Sequence, residues 1–79
     1  MIIKVLGTGC STCKKLEKHT KDAVKKLGIE AEVIKVEDIK TIMQFGVMKV
    51  PGFVIDEKVI FTGKVPKVAE LMQIIEENK

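Results

Sequence analysis

The sequence predicts an α/β fold whose strands and helices follow one another in the order βαβαββα. Short runs of branched apolar residues alternate with longer segments whose apolar residues recur at helical spacing. Two late apolar runs are joined by a turn that is too short to hold a helix. Because the chain has 79 residues, we expect residues 1–79 to form a single domain.

The first half of the chain predicts a strand, a long helix and a second strand. Residues 2–6 are a short apolar run that a glycine-rich breaker ends. Residues 11–27 predict a helix with one lysine-rich face. Gly28 follows it, where a glycine in the left-handed conformation commonly ends a helix. Residues 31–36 alternate like a strand, and the crossover predicts that both strands are parallel. The apolar stripe of the helix comprises Cys13, Leu16, Thr20, Ala23, Val24 and Leu27.

The second half predicts a short helix, a hairpin and a last helix. The aspartate that opens residues 38–45 can cap the short helix, and a glycine follows it. Residues 52–55 and 59–62 predict antiparallel strands around a turn at 56–58. The last helix is predicted to open at Pro66. Three residues of the short helix are predicted to point inward: Ile39, Ile42 and Met43.

Composition argues against several classes of protein. The net charge is +3, and all fourteen basic residues are lysines that are interleaved with eleven acids. The chain has no Arg, Trp or Tyr, so it lacks the side chains that most often read or stack on nucleic-acid bases. We expect no membrane span, because no apolar run reaches eighteen residues, and no signal peptide. Cytoplasmic location is therefore the expectation, and there a close cysteine pair is more often catalytic or metal-binding than structural.

The motif Gly9-Cys10-Ser11-Thr12-Cys13 stands between the first strand and the first helix. Unpaired N–H groups and the helix dipole favour a thiolate at Cys10. Cys13 lies one turn on and faces the protein interior. We therefore expect Cys10 to attack a substrate disulfide and Cys13 to resolve the mixed disulfide. The redox couple is then the Cys10–Cys13 dithiol itself, and no bound cofactor is expected.

Other interpretations of the cysteines carry less weight. Cys13 could be a small core residue and Cys10 an incidental surface thiol. A structural zinc site needs four ligands, whereas the chain offers two cysteines and His19, which lies off the helical face of Cys13. We expect His19 to be a surface residue and no metal to be bound.

A second signal is Val50-Pro51 at the mouth of the third strand. Proline cannot donate to a sheet ladder, so it starts a strand or lies at an edge. An X-Pro bond here can be cis. The backbone of Val50 would then face outward, where an extended peptide could pair with it. The alternative is a plain loop proline that precedes a strand.

The cysteine motif after the first strand and Val50-Pro51 about forty residues later resemble the thioredoxin and glutaredoxin superfamily, in particular its small redox-active disulfide proteins. The resemblance covers essentially the whole chain. It implies a thioredoxin fold, with a four-stranded mixed sheet of order 2-1-3-4 and helices on both faces. It also implies that Pro51 is the cis-proline beside the site and that Val50 binds the substrate backbone. Three further residues would line this surface: Gly9, Ser11 and Thr12.

The resemblance implies disulfide-containing protein substrates and a recycling partner of the thioredoxin-reductase type. We expect the protein to act as a monomer, although the sequence itself does not determine the oligomeric state. Gly9 replaces the family's usual Trp, and Ser11-Thr12 replaces its usual dipeptide, which leaves the redox potential open. Lys4 stands on the strand that usually carries a buried acid. Residues 63–65 lack the paired glycine and acid with which glutaredoxins bind glutathione, so glutathione use is doubtful.

Two functions remain as alternatives to a disulfide oxidoreductase. A copper metallochaperone would hold Cu(I) between Cys10 and Cys13. That class expects the order βαββαβ and a Met where this chain has Thr8. A redox-sensing binding module would keep the fold and use the cysteine pair only as a sensor. The sequence scarcely separates this last function from the first.

Overall fold

Seven elements follow the chain in the predicted order βαβαββα. The computed structural model describes residues 1–7 and 11–78. The last element is a helix, unlike the βαββαβ order of copper chaperone domains. The elements are β1 (Ile2–Leu6), α1 (Ser11–Leu27), β2 (Glu32–Val36), α2 (Ile39–Gln44), β3 (Gly52–Ile55), β4 (Lys58–Thr62) and α3 (Val68–Glu77).

The four strands form one mixed sheet of order β2-β1-β3-β4, as the resemblance implied. β1 pairs in parallel with β2, with Ile3 opposite Val33. On its other side β1 pairs antiparallel with β3, with Leu6 opposite Gly52. β3 and β4 form the predicted antiparallel hairpin. β1 is therefore an interior strand with a hydrogen-bonded neighbour on each side.

Helices cover both faces of this sheet. Because successive side chains of a strand alternate between faces, β1 and β3 each contribute side chains to two separate apolar clusters. The first cluster joins the sheet to α1 and α3 and comprises Ile3, Val5, Leu16, Ala23, Phe53, Ile55, Leu71 and Ile75. The second cluster joins the sheet to α2 and comprises Leu6, Ile42, Val47 and Val54.

The predicted helix ends agree with the structure for α1 and α2. Gly28 follows α1 with φ +65°, a conformation that glycine adopts without steric cost. Asp38 caps α2 by accepting hydrogen bonds from the Lys40 N–H (3.4 Å) and the Thr41 hydroxyl (2.9 Å). No helix in the described part of the chain is both long and apolar enough to cross a bilayer.

The prediction that three residues of α2 point inward is wrong for two of them. Ile42 is buried, but Ile39 is 61% exposed and Met43 is 69% exposed. α2 has only six residues, fewer than two helical turns, and Ile42 is its one buried residue. Nothing in the described chain covers its other apolar side chains.

The prediction that Pro66 opens the last helix is also wrong. α3 begins at Val68, and Lys67 is the extended residue that precedes its first turn. Pro66 is buried, and its carbonyl oxygen lies 3.0 Å from Nδ1 of His19 on α1. This contact holds the entry to α3 against α1, so His19 is half-buried rather than a surface residue.

The hairpin turn is tighter than the three residues expected. Lys58 already pairs with Ile55, so the turn consists of Asp56 and Glu57. Both have positive φ, at 47° and 70°, which matches the right-handed twist of the strands. Asp56 exchanges two hydrogen bonds with Ile2: its N–H donates to the Ile2 carbonyl (2.8 Å), and its carboxylate accepts from the Ile2 N–H (2.9 Å). The turn is thereby joined to β1.

Candidate redox site

Cys13 lies in the first turn of α1 and is 2% exposed. Ser11 and Thr12 open the same helix and are exposed, and their part in binding a substrate stays a prediction. Gly9 and Cys10 fall outside the described residues, so the pairing of Cys10 with Cys13 stays a prediction. The structure thus describes Cys13 and the first turn of α1, on which it lies.

Gly7 is the residue against which Cys13 packs. A Cβ built on Gly7 would collide with Sγ of Cys13 and would lie 2.9 Å from its Cβ. The Gly7 N–H donates to the Val36 carbonyl oxygen (2.9 Å), which continues the β1–β2 pairing by one residue. The backbone is therefore held in place, and only the absence of a side chain leaves room for the thiol. Sequence reasoning treated Gly7 as a strand breaker and missed this contact.

The sheet register brings the two predicted signals to the same end of the sheet. Leu6 lies opposite Gly52, so in this antiparallel pair Gly7, which follows Leu6, and Pro51, which precedes Gly52, are neighbours. Gly7 in turn contacts Cys13. The cysteine of α1 and the proline before β3 are brought together although 38 residues separate them in sequence (51 − 13).

The Val50–Pro51 peptide bond is cis. Pro51 is buried, whereas Val50 is 40% exposed. The Gly63 N–H donates to the Pro51 carbonyl oxygen (2.8 Å). The loop after β4 is thereby joined to the loop before β3, which places it on the same end of the sheet.

Lys35 of β2 forms an ion pair with Glu37, which follows the last residue of that strand. Lys35 Nζ is 2.7 Å from a carboxylate oxygen of Glu37. This hydrogen bond is the main cause that raises the pKa of Lys35 and lowers that of Glu37. Coulombic interactions with Glu17 and Cys13 raise the pKa of Lys35 as well, by less than the hydrogen bond to Glu37 does. Sequence reasoning did not single out this pair.

Lys4 stands on β1 and takes the place of the buried acid that is usual in the family. Its Nζ lies 2.6 Å from Glu57 in the hairpin turn and 5.3 Å from the ring centroid of Phe45. Lys4 is thus on the α2 face of the sheet, whereas Val5, next to it in β1, packs on the α1 face. The charge of Lys4 is paired with that of Glu57.

Comparison with known proteins gives the same family throughout. A family model described as a thioredoxin domain matches residues 1–76. A thioredoxin of Methanocaldococcus jannaschii is 38% identical over 73 residues, covering 92% of this chain and 84% of that protein. A thioredoxin of Methanothermobacter thermautotrophicus is 37% identical over 75 residues, covering 95% of this chain and 97% of that protein.

Solved structures agree on the fold. Thioredoxin 1 of the thermophilic eubacterium Thermosipho africanus superposes with a TM-score of 0.66 at 28% identity, covering 99% of this chain and 93% of that one. Thioredoxin-2 of a malaria parasite, a component of that parasite's protein secretion machinery, superposes with a TM-score of 0.74 at 16% identity, covering 96% of this chain and 81% of that one. The chain belongs to the thioredoxin family of thiol–disulfide oxidoreductases.

Proposed function

We propose that this protein reduces disulfide bonds in other proteins through Cys10 and Cys13 and is then recycled by a reductase of the thioredoxin-reductase type. The observation that carries the proposal is the position of Cys13. It is buried in the first turn of α1, against Gly7, and at the end of the sheet where Pro51 lies. A thiol that is shielded in this way is closed to a bulky substrate, so we assign Cys13 the step that follows attack by Cys10.

The reaction has two exchange steps. The Cys10 thiolate attacks one sulfur of the substrate disulfide, forms a mixed disulfide and releases the other substrate sulfur as a thiolate. The Cys13 thiolate then attacks Sγ of Cys10 and releases the second substrate thiolate. The protein is left with a Cys10–Cys13 disulfide, and two electrons have passed to the substrate. A reductase returns two electrons to the protein, so no bound cofactor is required.

The start of α1 and the exposed Val50 support this assignment of roles. The N–H groups of the first turn of α1 have no partners within the helix, and they favour negative charge at a sulfur that precedes them. Val50 is half-exposed beside Pro51, where its backbone can pair with an extended substrate segment.

We place this reaction in the cytoplasm, with the protein acting as a monomer and without glutathione as its reductant. The chain has two cysteines, and reducing compartments keep a close pair of thiols available for exchange. Residues 63–65 lack the acid that glutathione recognition requires in glutaredoxins, as noted above.

A redox titration tests the proposal directly. The protein is equilibrated in graded dithiol buffers, quenched by alkylation and weighed by mass spectrometry. We expect one reversible two-electron couple, with a potential between about −200 and −300 mV. Absence of an internal disulfide at every potential would contradict the proposal and would make metal binding the leading function.

Two single-cysteine variants assign the roles. Cys13→Ser should accumulate a mixed disulfide with a substrate protein at Cys10, because the resolving thiol is gone. Cys10→Ser should lose turnover, since the attacking thiol is gone. Trapping at Cys13 in the Cys10→Ser variant, with no trapping at Cys10 in the other, would reverse the assignment.

A further inference from the structure

The outward face of α1 carries a row of lysines. Because an α-helix turns by about 100° per residue, side chains that recur every three or four residues lie along one face. The members of this row fall within about 60° of one another around the helix axis, and the row is about 16 Å long. It lies opposite the buried side of α1, to which Cys13 and Leu16 belong. The lysine row comprises Lys14, Lys18, Lys21 and Lys25, which are exposed.

Neighbouring acids do not balance the charge of the lysine row. Within residues 1–7 and 11–78 none of its ammonium groups forms an ion pair. The acids of α1, Glu17 and Asp22, are half-buried and lie outside the row. Glu37 interacts electrostatically with Lys14, but its carboxylate is already hydrogen-bonded to Lys35. The lysine row is therefore a continuous strip of positive surface.

The stability of α1 does not account for the lysine row. Like charges three or four residues apart destabilise a helix, and the lysine row holds its members at those spacings. Glutamates alternating with lysines at the same positions would stabilise the helix instead. Charges on this side of the molecule are thus segregated by helix, as expected of a surface that attracts a charged partner. On α3, which packs beside α1, the charged residues are acidic and exposed: Glu70, Glu76 and Glu77.

The lysine row has no large apolar side chain exposed beside it on either helix. Within the described part of the chain, the exposed large apolar residues lie outside α1 and α3. A stable homodimer interface has an apolar core, and a helix that binds a bilayer inserts apolar side chains, so neither occupant matches this surface. The lack of Arg, Trp and Tyr disfavours nucleic acid. Charge without apolar surface matches a transient encounter with an acidic protein, as is common among redox partners.

We propose that the lysine row binds an acidic surface on the folded, disulfide-containing protein that this chain reduces. The inference rests on the proposed function and specifies the class of its substrate. The row begins at Lys14, next to Cys13, and Cys10 precedes the first residue of α1 in the sequence. A protein that docks along the row therefore meets the end of α1 at which exchange begins. A folded surface can hold carboxylates along about 16 Å without the loss of chain entropy that an unfolded segment undergoes.

A matched pair of substrate proteins tests this assignment. Each is a small helical bundle with one exposed disulfide next to the end of a surface helix. The acidic substrate has glutamates on that helix at the spacings of the lysine row, and the neutral substrate has glutamines at the same positions. We expect kcat/KM to be about tenfold higher for the acidic substrate at low salt, and the difference to shrink in 1 M salt. Equal kcat/KM for both substrates at low salt would overturn the proposal.

Charge reversal locates the contact on α1. In Lys18→Glu/Lys25→Glu, kcat/KM for the acidic substrate should fall about tenfold, while kcat/KM for the neutral substrate should stay within about twofold. A third substrate, with lysines in place of the glutamates, should be reduced faster by this variant than by the native protein. Lys40→Glu/Lys58→Glu is the matched control, because it has the same net charge and its exposed substitutions lie on α2 and β4. An equal fall in the control would contradict the proposal, since net charge alone would then explain the effect.

A binding measurement separates this proposal from the proposed function. The disulfide of the acidic substrate is replaced by two serines, and its binding to the native protein is followed through backbone amide resonances. The resonances of the lysine row should shift, whereas those of β4 should not. An absence of shifts along the row would overturn the proposal. If the native protein reduces neither substrate, the proposed function fails, and these shifts still decide whether the lysine row binds an acidic protein.

The other occupants of the lysine row would give results of their own. A mass that doubles with concentration in sedimentation, and that returns to the monomer value in Lys18→Glu/Lys25→Glu, would assign the row to a second copy of the chain. Binding to a single-stranded oligonucleotide or to phosphatidylserine vesicles, tighter than to the acidic substrate and lost in the same variant, would assign it to nucleic acid or to a membrane. Each of these results would overturn the proposal.

Discussion

Gly7 and Cys13 are in contact, and the contact leaves no room for a methyl group on Gly7. An added Cβ would lie 2.9 Å from Cβ of Cys13 and would collide with its Sγ. Gly7→Ala should therefore displace the thiol or the helix turn that carries it. We expect a loss of stability of about 1–3 kcal/mol, typical of overpacking, together with slower closure of the internal disulfide.

A double-mutant cycle checks that the cost arises from this contact. In a Cys13→Ala background most of the collision is removed, so Gly7→Ala should cost less in urea unfolding than it does in the native protein. Additive effects of the two substitutions would show that the thiol is not what Gly7 accommodates.

The two-residue hairpin turn carries a non-glycine residue, Glu57, at φ 70°. Glu57→Ala and Glu57→Gly both remove the ion pair with Lys4, but only glycine relieves the left-handed backbone. We expect the glycine variant to be more stable than the alanine variant by about 1 kcal/mol. Thermal unfolding of both variants measures the difference, and equal stability would mean that the turn is not strained at this residue.

The pair of Lys35 and Glu37 makes stability depend on pH at the acid end. Because the folded protein lowers the pKa of Glu37, this carboxylate stabilises the fold above its unfolded pKa, about 4.3. That contribution is lost as the pH falls through the lower, folded pKa. Glu37→Gln should make the melting temperature depend less steeply on pH between about pH 5 and pH 3. The effect should be small, since both side chains are well exposed, and it should weaken in 1 M salt.

Leu16 is fully buried in the cluster that joins α1 to the sheet. Leu16→Ala should cost about 2–5 kcal/mol, because it leaves a cavity as well as losing apolar contact. In a domain of this size such a loss is a large part of the total stability. Met48→Ala, at a side chain that is 97% exposed, should change the urea midpoint little. A comparable loss in both would show that the loop before Pro51 is packed more tightly than the structure describes.

Local sequence was sufficient to predict the order of elements and most of their bounds. These elements are set by interactions between residues a few positions apart. Examples are the helical spacing in residues 11–27, the glycine that ends that helix, and the cap at Asp38. Parallel pairing of β1 and β2 follows from the helix between them, since a right-handed crossover leaves little choice. The place of Cys13 in the first turn of α1 was predictable for the same local reason.

Tertiary structure decided what distant residues do to one another. Spacing alone predicted that Ile39 and Met43 point inward. In the fold only Ile42 of α2 is buried, and both of these side chains are left exposed. Likewise, Gly7 was recognisable as a breaker, yet its contact with Cys13 depends on how α1 packs across β1. Local preferences act over a turn or two of chain, whereas burial depends on every element that could cover a residue. For that reason the sequence by itself determined the elements and the reactive motif, and only the packed fold decided the space around Cys13 and the exposure of Val50.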